Sequence, residues 1–297
     1  PNFGSITTKI IESISYLSFR LPYKEKNIFL AEWEDEHALK RYILNHILYG
    51  VERCHVCLDM LRDIFLNRYG TYPVNYRLGN PLIGISINDV DGYLDTKNQM
   101  SLFSKNPKDF INEFKDMYAL YFSLSDKIKE DVEIKNEISV KIESYKIRIQ
   151  DVMDVITSTF LNKNIEQKKI QEVLANLYSD MNTWESIKNN KWFAEAKETA
   201  LKNNFFHYEI EFPYLINNAF DFIFAQPSLV YMWEDDIPLA EAVKAYIKRG
   251  MTYLKPDGKL VLGIKDAEDR LIFELQQSKK YTAKIMKGCI ILSRKNI

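Results

Sequence analysis

The sequence predicts an α/β protein: a doubly wound sheet, interrupted by a large helical insertion and closed by a C-terminal antiparallel hairpin. Three observations carry this expectation. Short apolar runs alternate with helical patterns towards both ends of the 297-residue chain. None of the 10 glycines lies between Gly92 and Gly250, an interval that therefore lacks the residue best suited to the positive φ angles of tight turns. Near the end, two apolar segments flank Gly288 as the arms of a hairpin flank their turn.

In chain order, Gly4-Ser5 opens a helical pattern that runs through Phe19. Such a turn either presents backbone N–H groups to a ligand or simply caps the helix, Ser5 being a good N-cap. His46–Val51 is a short apolar run ending at an acid, followed by a helical pattern from about Val56 to Asn67 and a third short piece at Tyr76–Asn80. The segments 107–123, 166–180 and 184–203 read as helices. Between them Ile134, Ile138, Ile142, Tyr145, Ile149, Val152 and Ile156 recur at steps of four and three, the apolar stripe of one long helix, with its isoleucines expected to face inward. Phe220–Ala225 is a strongly apolar strand, Ala240–Leu254 an amphipathic helix, and Lys255-Pro-Asp-Gly258 a turn signal ahead of a strand at Lys259–Ile264. Tyr281–Lys287 and Cys289–Arg294 form the hairpin. The expected arrangement has 46–51, 76–79, 220–225 and 259–264 as neighbouring, mostly parallel strands of one sheet, with the hairpin at one edge. Residues 1–92 and 205–297 are expected to build the α/β domain, and 93–204 a helical subdomain inserted into it.

Composition narrows the function classes. Hydrophobic residues at 46% and charged residues at 27% exclude wholesale disorder. Forty basic residues against 41 acidic ones give no global field that would announce nucleic acid. No apolar stretch reaches the roughly 18 residues of a membrane span, and no signal-peptide plan opens the chain. Three cysteines suit a reducing, cytoplasmic setting. Pro1 is not an initiator Met, so the chain is expected to be trimmed or part of something longer.

Three sites follow from the residues themselves. Glu52 stands where doubly wound folds place an acid at the tip of the second strand, with two oxygens to match two ribose hydroxyls; an acid favoured by the following helix start is the alternative. Cys54-His-Val-Cys57 has half the spacing of a zinc site but no second pair, and no metal is expected. Gln226-Pro227 ends the Phe220–Ala225 strand, where such folds bind ligands, although the proline alone could end a strand.

Taken in order, these segments resemble the adenine-specific DNA methyltransferases of restriction–modification and phage-defence systems, in the branch with a large insertion. Pro1-Asn-Phe3-Gly4-Ser5-Ile6 is similar to that family's Asp-Pro-Ala-(Met/Cys)-Gly-Ser-Gly, Tyr49-Gly-Val-Glu52 to Tyr-Gly-Val-Asp, and Gly79-Asn80-Pro-Leu-Ile-Gly84 to Gly-Asn-Ser-Leu-Ile-Gly. Phe206-His-Tyr-Glu-Ile-Glu-Phe-Pro213 resembles Phe-His-Trp-Glu-Ile-Glu-Phe-Pro, and Phe220–Leu229 resembles Phe-Asp-Val-Val-Ile-Gly-Asn-Pro-Pro-Tyr. The resemblance covers almost the whole chain. It implies a methyltransferase-type sheet, S-adenosylmethionine as cofactor and double-stranded DNA with a target adenine as partner. A fused or associated restriction or specificity domain is a further implied partner. It also implies that Phe3, Gly4, Ser5, Glu52 and Asn80 bind the cofactor, and that Gln226, Pro227, Ser228 and Leu229 act on a base flipped from the duplex.

The departures fall on both halves of that machinery. Gln226 stands for Asn, Ser228 for the second Pro and Leu229 for the stacking aromatic. Gln carries its amide one methylene further out, and a small misplacement of a reacting group costs about a hundredfold. A lost base–aromatic stack removes about 1–3 kcal/mol. Ile6 replaces a glycine beside the cofactor, and the family's acid would precede Pro1. The sequence therefore reads as a methyltransferase-like domain with weakened or lost catalysis. An active enzyme is one alternative, and a non-catalytic DNA- or partner-binding module the other. A plain solvated helix face is the favoured reading of the insertion's lysines, and a DNA-phosphate surface carrying Lys163, Lys168 and Lys169 is the other.

Overall fold

The computed structural model describes residues 8–11, 35–94, 106–216, 218–227, 239–264, 269–286 and 288–295. The chain is α/β, with many helices and two small sheets. It divides into two compact units, one of Pro1–Asn98 with Ile149–His207 and the other of Gln99–Arg148 with Tyr208–Ile297.

The first unit opens its described core with α1 (Glu36–Tyr42), whose N-cap Asp35 accepts from the His37 N–H at 2.9 Å. The helix does not stop where a strand was expected. It widens into a π-turn over Ile43–Ile47, so His46 and Ile47 belong to the helix end. The reason lies in the buried face: Leu39, Ile43 and Leu44 share helical spacing, and all three are fully buried. Strand β1 is consequently short, Gly50–Glu52, and leads into α2 (His55–Tyr69), which ends on Gly70 in the left-handed region. Strand β2 (Tyr76–Leu78) pairs parallel with β1, Gly50 opposite Tyr76 and Glu52 opposite Leu78. Phe65, Tyr69 and Tyr76 join the α1 residues in one core cluster. Then come α3 (Ile87–Leu94), the second part of a 33-residue helix α5 (Lys129–Leu161), and the helices α6 (Lys168–Ala175), α7 (Met181–Lys188) and α8 (Lys191–Lys202).

The second unit begins with α4 (Pro107–Ser123), capped by Asn106 and started by its proline. The rings of Phe110 in α4 and Tyr145 in α5 stack with centroids 4.0 Å apart. Ile142, Ile149 and Ile156 are buried as expected, but Ile134 is 42% exposed. Successive steps of four residues advance about 40° past a full turn, so the stripe walks off the buried face. Lys135 lies buried there instead, its Nζ 2.7 Å from Asp126 Oδ1.

The larger sheet has the order β3-β4-β6-β5. Strand β3 (Phe220–Ala225) runs parallel to β4 (Leu254–Gly263), while β5 (Tyr281–Met286) and β6 (Cys289–Arg294) form the antiparallel hairpin about Gly288, φ +79°. Helices α9 (Leu239–Tyr253) and α10 (Asp269–Gln276) contribute Val243, Ile247, Leu271 and Leu275 to a core with Leu260, Leu262, Ile290 and Leu292. The Lys255–Gly258 turn is absorbed into β4 as a bulge: pairing jumps from Phe220–Leu254 to Phe222–Lys259.

One expectation is corrected. Residues 220–225 do not share a hydrogen-bonded sheet with 50–52 among the described residues. Strands 50–52 and 76–78 form one two-stranded sheet while 220–225 and 254–263 belong to another, so the single doubly wound sheet expected from the sequence is not found among the described residues.

Candidate functional site

In the first unit, Glu52 and Asn80 follow one another at the carboxyl ends of neighbouring parallel strands. Parallel pairing puts Glu52 opposite Leu78, and the Gly79 N–H donates to the Glu52 carbonyl at 2.9 Å. One carboxylate oxygen of Glu52 accepts from the Cys54 N–H at 3.0 Å, at the start of α2. The acid therefore serves the helix start. Asn80 is buried, and its Oδ1 accepts from the Leu82 N–H at 3.1 Å, closing a side-chain turn.

That turn is laced to a segment far along the chain. The Asn80 N–H donates to the Asn204 carbonyl at 2.7 Å and the Phe206 N–H to the Ile83 carbonyl at 2.8 Å. Two glycines allow the approach: a Cβ on Gly79 would lie 2.4 Å from the Phe206 ring. One on Gly84, φ +152°, would lie 2.1 Å from the Phe206 carbonyl oxygen. The Ile85 N–H donates to His207 Nδ1 at 3.2 Å, which leaves Nε2 to carry the ring proton and donate to Asp154 Oδ1 at 3.0 Å. Asp154 Oδ2 in turn accepts from Lys197 Nζ at 2.6 Å, and the same ammonium reaches Asp151 Oδ1 at 2.9 Å.

His207, Asp154 and Asp151 are all buried. Burial alone would raise the Asp154 carboxyl, but hydrogen bonds from His207 and Lys197 and the charge of Lys197 outweigh it and hold the group below the ordinary carboxylate range. Asp151 goes the other way: burial, joined by the Asp154 charge, outweighs Lys197 and pushes it up. Its Oδ2 has no partner among the described residues. Sequence reasoning missed this network. Its one signal was a pair of acids, Asp151 and Asp154, set three apart amid an apolar helical stripe.

The phrase Phe206–Pro213 continues into the second unit, where Glu209 is buried and accepts from the Tyr253 hydroxyl at 2.9 Å. The Tyr208 and Tyr253 rings stack at 4.7 Å, the Arg249 guanidinium lies 5.7 Å from the Tyr208 centroid, and desolvation pushes the Tyr208 phenol up to about 12. Gln226 directly follows β3. Its side chain lies against Gly263, where an added Cβ would come within 3.7 Å of Gln226 Cγ. The buried Oε1 of Gln226 has no hydrogen-bond partner among the described residues, an arrangement that costs about 1–3 kcal/mol while no donor meets it. Pro227 is buried beside it in the chain.

Phe3, Gly4, Ser5, Ser228 and Leu229 lie outside the described residues. Cys54 and Cys57 carry free thiols; hydrogen bonds from the Cys57 N–H and thiol lower Cys54, and the bond to Cys54 together with burial raises Cys57. No group of three or more His, Cys, Asp or Glu could hold a metal ion among the described residues. No described helix is long and apolar enough to cross a membrane. Of the lysines expected to meet DNA, Lys168 pairs with Glu166 at 2.6 Å, and Lys169 with Glu172 at 2.6 Å while covering the Trp192 ring. Compared with known proteins, the chain matches no family model, no curated protein and no solved structure.

Proposed function

We propose that the chain is a DNA adenine-N6 methyltransferase-like domain of a restriction–modification or defence protein, with weakened or lost catalysis. One observation supports the reading: Glu52 ends β1, Asn80 lies two residues past β2 and Gln226 directly follows β3, each at the carboxyl end of a parallel strand, the kind of position at which doubly wound sheets bind ligands. Each sheet by itself also has the order of one side of a 3-2-1-4-5 sheet, β2-β1 for one side and β3-β4 for the other.

On this reading S-adenosylmethionine is held weakly, with Glu52 on the ribose hydroxyls and Asn80 near the adenine ring. The orphaned Gln226 oxygen accepts from the amine of a flipped base, one methylene further out than the family's Asn would hold it. The active-enzyme alternative predicts low-micromolar cofactor affinity, which calorimetric titration measures directly. The principal test is transfer of a tritiated methyl group to unmodified duplex DNA, comparing the parent with Gln226→Asn, Ser228→Pro and Leu229→Tyr combined, on a chain carrying whatever is encoded ahead of Pro1. The triple variant is expected to create or raise transfer, non-additively, because all three changes meet the same nucleotide. A parent that already turns over as fast as the repaired variant refutes the weakened-catalysis reading.

A further inference from the structure

Beyond that reading, the second unit carries a pocket at the other end of its sheet. Pairing of β4 with β6 runs from Lys259–Ser293 to Gly263–Cys289, and Gln226 lies beside Gly263. Arg294 therefore stands at the Lys259 end, about 13 Å away along β4 at roughly 3.3 Å per residue. There α9 and the open end of the hairpin border an open concavity of about 490 Å³, within the size range of small-ligand sites.

The charge of its lining is one-sided. Lys244, Lys248, Lys280 and Arg294 face the pocket, with no carboxylate among the lining residues. Two of these cations have duties elsewhere. Lys244 reaches Glu241 at 3.3 Å and Glu274 at 3.7 Å, and Arg294 donates to the carbonyls of Met251 and, at 3.0 Å, Leu254, capping the negative end of α9. Lys248 and Lys280 are exposed and pair with no carboxylate among the described residues. The backbone of Lys280 is fixed on both sides, its N–H donating to Ser278 Oγ and its carbonyl accepting from the Lys295 N–H. Two lysines without a carboxylate partner among the described residues thus line one concavity, whose remaining wall includes Ile247, Met251 and Tyr281.

We infer that this pocket binds a small organic phosphate of the nucleoside di- or triphosphate class. Lys248 and Lys280 take the phosphate oxygens, as ammonium groups do in point-charge phosphate sites, and the apolar wall takes the organic part. A duplex backbone is convex and fits such a concavity poorly. The site owes nothing to the methyl-transfer reading, and its test is separate from it.

The experiment is calorimetric titration of the full chain with adenosine triphosphate, inorganic pyrophosphate and a short DNA duplex in separate arms at fixed ionic strength. Saturable one-to-one binding of triphosphate and pyrophosphate is expected, tighter for the triphosphate because only it meets the apolar wall. Lys248→Glu with Lys280→Glu should weaken both by roughly tenfold or more, with circular dichroism and melting unchanged; Lys248→Gln alone, a milder change, should weaken both partially. Absence of binding at millimolar ligand, equal affinity in the double variant, or binding of the duplex that pyrophosphate does not displace would each overturn the assignment.

Discussion

Removing the imidazole of His207 should loosen the first unit by an amount the geometry allows to be estimated. In His207→Ala the buried Asp154 carboxylate loses a donor at 3.0 Å and the Ile85 N–H loses its acceptor at 3.2 Å. A hydrogen bond to a charged group contributes about 1.5–3 kcal/mol, and a stranded donor costs about 1–3 kcal/mol. Because Ile85 is only half-buried, the low end applies to the second term, and the expected loss is about 2.5–4 kcal/mol. Urea denaturation at pH 7 measures it from the shift in midpoint at constant slope. A double-mutant cycle with Asp154→Asn should return a coupling of about 1–3 kcal/mol, and His207→Gln, which keeps an amide donor, should recover part of the loss. A loss below about 1 kcal/mol with no coupling would show that Phe206 packing between the two glycines, and not the polar network, holds this segment.

Opposite behaviour is expected at the neighbouring acid. The Asp151 carboxyl is raised in the folded protein, so its ionisation lowers stability as pH rises from the unfolded value through the folded one; Asp151→Asn should be neutral or stabilising at pH 7. Asp154 is depressed, so its contribution is present above the unfolded value near pH 4 and lost as pH falls through the folded value; denaturation profiles of the two Asn variants between pH 3 and 7 should diverge in sign. Gly84→Ala should destabilise by roughly 1–3 kcal/mol or more, because its Cβ meets a carbonyl oxygen at 2.1 Å in a conformation that disfavours side chains; thermal unfolding followed by circular dichroism checks it. Tyr253→Phe should cost about 1–3 kcal/mol by taking the hydroxyl from buried Glu209, and unchanged stability would mean another donor supports that carboxylate.

How much of this was legible depended on whether the signal was local. Helix α4 matches the expected 107–123 because the Asn106 cap, the proline start and the apolar spacing all lie within it. The hairpin followed equally from Gly288 and its two apolar arms. The π-turn at Ile43–Ile47 was read in part as strand because a short apolar run has no period long enough to decide between the two. The partners of Asn80, Ile83 and Ile85 at Asn204, Phe206 and His207 were invisible as contacts, since no local rule links residues so distant, even though the resemblance had marked both stretches. The strand ends at Glu52 and Ala225 were legible because strand ends are local; that Glu52 accepts from the Cys54 N–H at the start of α2 needed coordinates.

The lacing of Gly79–Ile85 onto Asn204–His207 also sets a timetable. Ile85 and His207 are 122 residues apart, so a chain emerging from the ribosome must wait for that length to be made before the first unit can close. At about 5–20 residues per second the delay is roughly 6–24 seconds. Throughout it, the glycine-bounded turn at Gly79–Gly84 stands without its partners at Asn204 and Phe206. Newly made protein thus presents to proteases and chaperones a stretch whose Gly79 and Asn80 are buried in the finished fold.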